Sequence, residues 1–191
     1  MKKILLLCIL FFPFSNVIAA LIDFSGAITT ASSQYLDPDP AYAPANAIDG
    51  DPYTVWNGGS HAEFLTIDMG MRFNVEAVEV ENPGGINPDF YGLANYFTIL
   101  GSLNDINYFV MGTGITRDAI DPLAYVSFDS PFTARYLRYS VSSEPGVGDH
   151  WAHIGELRAY GTFAAVPLPP SIVLFVSGLI GLGYTHKKIY T

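Results

Sequence analysis

The sequence predicts an all-β sandwich or barrel, and three observations carry that prediction. Short runs rich in β-branched and aromatic residues recur along the middle of the chain. Within them apolar and polar residues alternate, as they do when one face of a strand is buried. No stretch keeps a helical period with caps for three turns. The first run is Glu63–Met69, followed by Val78 and Val80 alternating with Glu79 and Glu81. Tyr96–Leu100, Tyr108–Met111, Ala124–Phe128, Arg135–Val141 and Glu156–Tyr160 complete the set. Turn residues separate them at Asn82-Pro83-Gly84-Gly85, Asn104-Asp105, Gly112-Thr113-Gly114, Ser130-Pro131 and Pro145-Gly146. No internal repeat of fixed period is present.

The two ends read as sorting signals. Met1-Lys2-Lys3 is basic, Ile4–Phe14 is almost wholly apolar, and Val17-Ile18-Ala19-Ala20 offers small residues to a signal peptidase. Residues 1–20 are therefore expected to be a secretory signal, helical and cut after Ala19 or Ala20. The single cysteine, Cys8, lies inside it, and Leu7 before it is too large for a lipoprotein site. The mature chain then has no disulfide and no cysteine-based metal site. From Leu21 to Ala165 the sequence holds about 145 residues, enough to bury a core without staples. That stretch carries five arginines, no lysine and all eighteen acids, a formal charge of −13. Such a field repels nucleic acid and anionic headgroups and favours neutral glycans and divalent cations.

After Gly161 the composition changes. Val166-Pro167-Leu168-Pro169-Pro170-Ser171 cannot continue a strand ladder. Ile172–Tyr184 is apolar, and His186-Lys187-Lys188 closes it in the manner of a stop-transfer signal. Thirteen apolar residues give a helix of about 20 Å, against a bilayer core of about 30 Å. A transient membrane helix fits that length better than a permanent anchor, the plainer alternative. The Val-Pro-x-Pro segment, apolar helix and basic end resemble the PEP-CTERM sorting signal, with Leu168 where that motif has glutamate. The resemblance makes Val166, Pro167, Pro169 and Pro170 the sorting motif of residues 163–191. It implies an exosortase-like processing enzyme in a Gram-negative bacterium that makes extracellular polysaccharide. The product would cross the inner membrane and end at the cell surface or outside it.

Between the ends, five blocks occur in order: Ala45–Trp56, Phe64–Gly70, Phe97–Ser102, Ala134–Tyr139 and Ile154–Gly161. Together they resemble the discoidin family, also called the coagulation factor 5/8 type C domain, over roughly residues 27–162. The resemblance implies an eight-stranded jelly-roll sandwich. Asp49-Gly50-Asp51-Pro52-Tyr53-Thr54 concentrates hard oxygen donors in a tight loop, as calcium requires. The same residues also suit Asx turns in which the aspartates only satisfy backbone amides. By the resemblance, a structural calcium would be held by the Asn46 carbonyl, Asp49, Asp51 (carboxylate or carbonyl), Thr54 and the distant Glu156. Glu156 would then tie the last strand to the first loop.

Trp56 enters an apolar neighbourhood and is expected in the core. Arg135 and Arg138, among tyrosines, are expected to pair with surface acids. Binding loops are expected at 57–61, 82–95 and 142–151. Tyr91 or Trp151 would give a sugar a flat face, and His61, Asn87, Asn95 or His150 its polar contacts. Asp149-His150-x-x-His153-x-x-Glu156 has a metal-like spacing, but strand geometry sends the two histidines to opposite faces. With no catalytic motif present, the expected function is non-catalytic: a carbohydrate-binding or adhesion domain exported to the surface or matrix. The alternative is a structural matrix protein that pairs with other proteins and binds no sugar.

Overall fold

The structure is a computed structural model that describes residues 19–60, 62–82, 94–117, 122–141 and 151–164, with Phe175 and Ser177 beyond them. The expected signal helix, the sorting motif and nearly all of the C-terminal apolar helix lie outside the described residues. No helix among the described residues is long and apolar enough to cross a membrane.

The described residues form nine antiparallel strands where eight were expected: β1 (Ala20–Leu21), β2 (Ile28–Ala31), β3 (Trp56–Asn57), β4 (Phe64–Glu81), β5 (Ala94–Ser102), β6 (Tyr108–Arg117), β7 (Leu123–Val141), β8 (His153–Ile154) and β9 (Glu156–Phe163). The main sheet runs β1-β9-β4-β7-β5-β6, with β2 beside β4; β3 and β8 pair separately. Only the first half of β4 meets β2, and only its second half meets β9. In β7, residues 136–141 meet β5. The two long strands thus join two halves that close face to face. Gly112 of β6 sits against Val126 of β7, although β6 is bonded only to β5.

The bends that make this closure were misread in the sequence. Between Asp68 and Phe73 the register slips, so residues 69–72 stand opposite Arg135 alone. Gly70 takes the left-handed conformation there (φ +75°) and donates its N–H to Asp68 Oδ1 at 2.9 Å. Ser130-Pro131 was expected to end a strand. It lies within β7 at a second slip, where the partner passes from Phe132–Val75 to Ser127–Ala77 and no ladder bond is asked of the proline. Gly112-Thr113-Gly114 likewise lies inside β6 rather than at a turn. A Cβ at Gly114 would come 2.3 Å from the Phe97 ring, so those glycines mark close packing.

The inward faces build one core that includes Leu65, Ile67, Val78, Val80, Leu137 and Leu157. Trp56 is fully buried within it, as expected, its ring edge-on to Tyr139 and its Nε1–H donated to the Ser33 carbonyl at 3.2 Å. On the outer face Arg135 grips Asp68 with two 2.8 Å hydrogen bonds, which hold the Asp68 carboxyl below the usual carboxylate range. Arg138 is stacked between Phe64 and Tyr108, 4.1 and 3.8 Å from their centroids, and pairs with Asp105 at 3.6 Å. Both arginines are therefore surface pairing residues.

One register row, Ile28–Asp68–Tyr136–Ser102–Tyr108, crosses five strands near one end of the sandwich. Phe163, opposite Phe73, and β1 lie at that same end, where the two chain termini leave. The other end holds the flanks of segments 83–93, 118–121 and 142–150.

Candidate functional site

The residues expected to hold calcium are delivered by two short 3₁₀ turns, Pro40–Tyr42 and Pro44–Ile48, each opened by a proline that fixes φ. The Asn46 amide folds the loop around itself: its Nδ2 donates to the carbonyls of Pro40 and Ala41 at 3.1 Å and of Val55 at 3.0 Å. Gly50 at φ +82° makes the tight reversal. Asp49 Oδ1 accepts the Asp51 N–H, and Asp51 Oδ1 the Tyr53 N–H, both at 2.9 Å. The Asx turns open in the sequence reading are thus formed.

They do not use up the oxygens. The Thr54 hydroxyl has Asp49 Oδ2 and the Asp51 carbonyl at 2.9 Å, Asp49 Oδ1 at 3.1 Å and the Asn46 carbonyl at 3.4 Å. A hydroxyl has one proton to donate. Four acceptors around one proton leave lone pairs facing one another, an arrangement a hard cation relieves. Asp51 faces Thr54 with its carbonyl, which also accepts the Thr54 N–H at 3.1 Å. Glu156 arrives from 106 residues away, its Oε2 accepting the Gly50 N–H at 3.0 Å. It is 3 % exposed, and burial pushes its carboxyl up to about 7. Asp49 and Glu81 push the same way; Arg158 and the Gly50 N–H pull it back.

The predicted set therefore converges: Asn46, Asp49 and Asp51 on Thr54, and Glu156 on the glycine between the two aspartates. Among the described residues no three His, Cys, Asp or Glu side chains gather closely enough to hold a metal by themselves. A cation here would rest on two carboxylates supplemented by carbonyls and a hydroxyl, a donor set of calcium's kind and not of zinc's.

The second feature is an aromatic shelf. The Trp151 ring lies 4.7 Å from Tyr35, and Tyr35 stands edge-on to Tyr42 at 5.2 Å. All three remain partly exposed. Backbone bonds fix the shelf to the loop end: Tyr35 N–H to the Asn57 carbonyl at 2.7 Å, Gly58 N–H to that of Ala152 at 2.8 Å, and Ala152 N–H to that of Ser60 at 2.7 Å. Tyr35 and Tyr42 escaped the sequence reading because no periodicity marks an aromatic in a proline-rich loop. Of the other candidates, His61, Asn87, Tyr91 and His150 lie outside the described residues. Asn95 is placed only by its backbone, opposite Thr116 near the loop end of β5. His153 is fully buried, its Nδ1 2.7 Å from the Trp151 carbonyl.

A two-layered antiparallel sandwich that sets an oxygen-lined loop and an aromatic shelf near its loop end, with its termini leaving the other, is the build of a loop-presenting binding module. The chain belongs to the F5/8 type C domain family, whose model matches residues 28–157. No curated protein matches it in sequence. Several solved structures share the fold. The family 32 carbohydrate-binding module of Clostridium perfringens NanJ, solved with galactose, is 21 % identical, with a TM-score of 0.60 over 75 % of this chain and 99 % of that one. The corresponding module of AlyQ, solved with 4,5-unsaturated mannuronic acid, is 21 % identical, with a TM-score of 0.58 over 73 % and 97 %. A putative chitobiase fragment from Bacteroides thetaiotaomicron is 16 % identical, with a TM-score of 0.65 over 83 % and 98 %.

Proposed function

We propose that this chain is a non-catalytic carbohydrate-binding module of the exported kind, steadied by calcium and presenting a glycan site at its loop end. The observation that carries the reading is the partly exposed Trp151–Tyr35–Tyr42 shelf at the loop end, built on a core that does not depend on it. An aromatic face takes the C–H patches of a sugar ring, and neighbouring amides and carbonyls take its hydroxyls. The ligands named for the NanJ and AlyQ modules support sugar as the ligand class.

Charge narrows the class. Of the four arginines whose side chains are described, Arg135, Arg138 and Arg158 are engaged with Asp68, Asp105 and the pair Glu79/Glu81 on the sheet faces, and Arg72 is exposed beside Met71 at the opposite end from the shelf. An acidic domain whose described arginines lie away from the shelf favours an uncharged glycan over a uronate. Calcium, held by Asn46, Asp49, Asp51, Thr54 and Glu156, would supply positive charge that fixes the loop; it takes no part in a reaction. The reading of the two ends as sorting signals supports export and processing by an exosortase-type enzyme, with the surface or an exopolysaccharide matrix as the destination.

Affinity electrophoresis of the purified chain through gels containing neutral polysaccharides, including the producer's own, tests the reading. Retardation is expected in at least one gel, reduced at least tenfold in affinity by Trp151→Ala and weakened by chelator. Unretarded migration in every gel would remove sugar binding from the account. Capture of envelope proteins that survives competing sugar would then favour the matrix-protein alternative.

A further inference from the structure

Exposed apolar side chains also occur singly, as at Leu36, Val110 and Tyr125, but one group of them is clustered around a groove. Leu21 (59 % exposed), Met71 (52 %) and Phe163 (71 %) rim a groove of about 630 Å³ whose floor includes Met69 and Phe73. Ile28 (66 %), in the end register row, and Ile106 (79 %), in the β5–β6 connection just past it, lie at the same end. This is the end at which both chain termini leave, opposite the loops and the aromatic shelf. Large apolar surface concentrated at one place marks a contact site.

Continuity of the chain says with what. Ala164 is pinned by its N–H to the Arg72 carbonyl at 3.1 Å, on the rim beside Met71. Eight residues later, at Ile172, the apolar run begins. Eight residues reach at most about 28 Å, so whatever the run enters lies within that distance of the groove. As a helix the run would be only about 20 Å long, short of the roughly 30 Å of a bilayer core. A partner that accepts an undersized apolar helix and an apolar rim on the adjoining fold is a lipid surface.

We propose that the Leu21–Met71–Phe163 rim, with Ile106 beside it, seats on the headgroup–acyl boundary of an electroneutral bilayer, so that the loop end points away from the membrane. Electroneutral lipid is specified because the domain carries no lysine and a large excess of acids; anionic headgroups would repel it. The proposal rests on the reading of residues 172–184 as membrane-associating and is independent of what the loops bind.

The test uses the mature chain from Ala20 onward, which lacks Cys8 and the apolar Ile4–Phe14 run, with one nitroxide label at position 71, 106 or 53, mixed with phosphatidylcholine vesicles. Labels at 71 and 106 are expected to be more accessible to dissolved oxygen than to a water-soluble nickel chelate, as at an acyl boundary; the label at Tyr53, near the calcium loop, is expected to behave as in water. Placing Met71→Asp and Phe163→Asp together should abolish the preference at 106 while the thermal midpoint stays within a few degrees. If the chain fails to sediment with vesicles, the membrane reading of the tail falls and the docking with it. If it sediments but the label at 71 is as water-exposed as that at 53, or the double variant keeps the preference at 106, the docking surface is wrong and the tail reading stands.

Discussion

At the scale of single residues, Glu156 has the most to say. Without a cation, its carboxyl is out of water and beside Asp49, which lifts it from the ordinary carboxylate range to about 7. A raised carboxyl binds its proton more tightly in the folded than in the unfolded chain. Stability from this group is therefore fully present below about pH 4.5 and is lost as pH rises toward 7, by up to about 3 kcal/mol. In chelator, the melting midpoint is expected to fall between pH 5 and 7.5, and Glu156→Gln, which keeps the Gly50 hydrogen bond, should flatten the curve. A flat curve for the unaltered chain would show that Glu156 is not the strained group. Thr54→Val tests the other side of the loop. It removes the hydroxyl shared by four acceptors while keeping its shape, and it should at least halve the rise in midpoint that calcium produces. An unchanged rise would take Thr54 out of the ligand set.

At the scale of elements, the strands hold their positions through close backbone approach as much as through side-chain packing. Gly161 in β9 lies under the β4 bulge, where an added Cβ would stand 2.2 Å from the Asn74 carbonyl oxygen. Backbone cannot swing aside as a ring can. Gly161→Ala is expected to cost about 3 kcal/mol or more, lowering the midpoint by about 6–12 °C, whereas Gly114→Ala, which meets only the Phe97 ring, should cost less. Equal losses in urea titration would contradict this ranking. The same geometry explains what was legible in the sequence. Alternation found the flat parts of every major strand, from Phe64–Met69 to Glu156–Tyr160. It could not find that Phe64–Glu81 and Leu123–Val141 are each one strand, because the bulges at 69–72 and 128–131 interrupt the period that marks a strand. Ser130-Pro131 and, in β6, Gly112-Thr113-Gly114 read as turns because local sequence does not show which neighbour lies overhead.

At the scale of the whole molecule, the sandwich separates two surface features by its length. Its loop end carries the Trp151–Tyr35 shelf and flanks the oxygen-lined loop; its other end carries the termini and the apolar rim. The oxygen donors of Asn46–Thr54 were legible because they lie together in one compact segment, with Glu156 supplied by the family resemblance; calcium there remains the proposal. The shelf was only half legible: Trp151 stood out as a rare aromatic in a loop, but Tyr35 joins it through the pairing of Asn57 with His153, a contact no short sequence window contains. The two-ended build also explains why a thiol-free, acidic domain can afford loops of this length, since the cation and the long-range Glu156–Gly50 bond would close the chain where covalent staples are missing.

The most direct test of that account is the melting midpoint of the full chain at pH 7 in millimolar calcium against the same buffer with chelator. Saturation at about a hundred times the dissociation constant contributes about 2.7 kcal/mol, so a rise of about 5–10 °C is expected, absent from Asp49→Asn. Identical midpoints with and without calcium would mean that the oxygens around Thr54 are held by their turns alone, and that the loop end is organised without an ion.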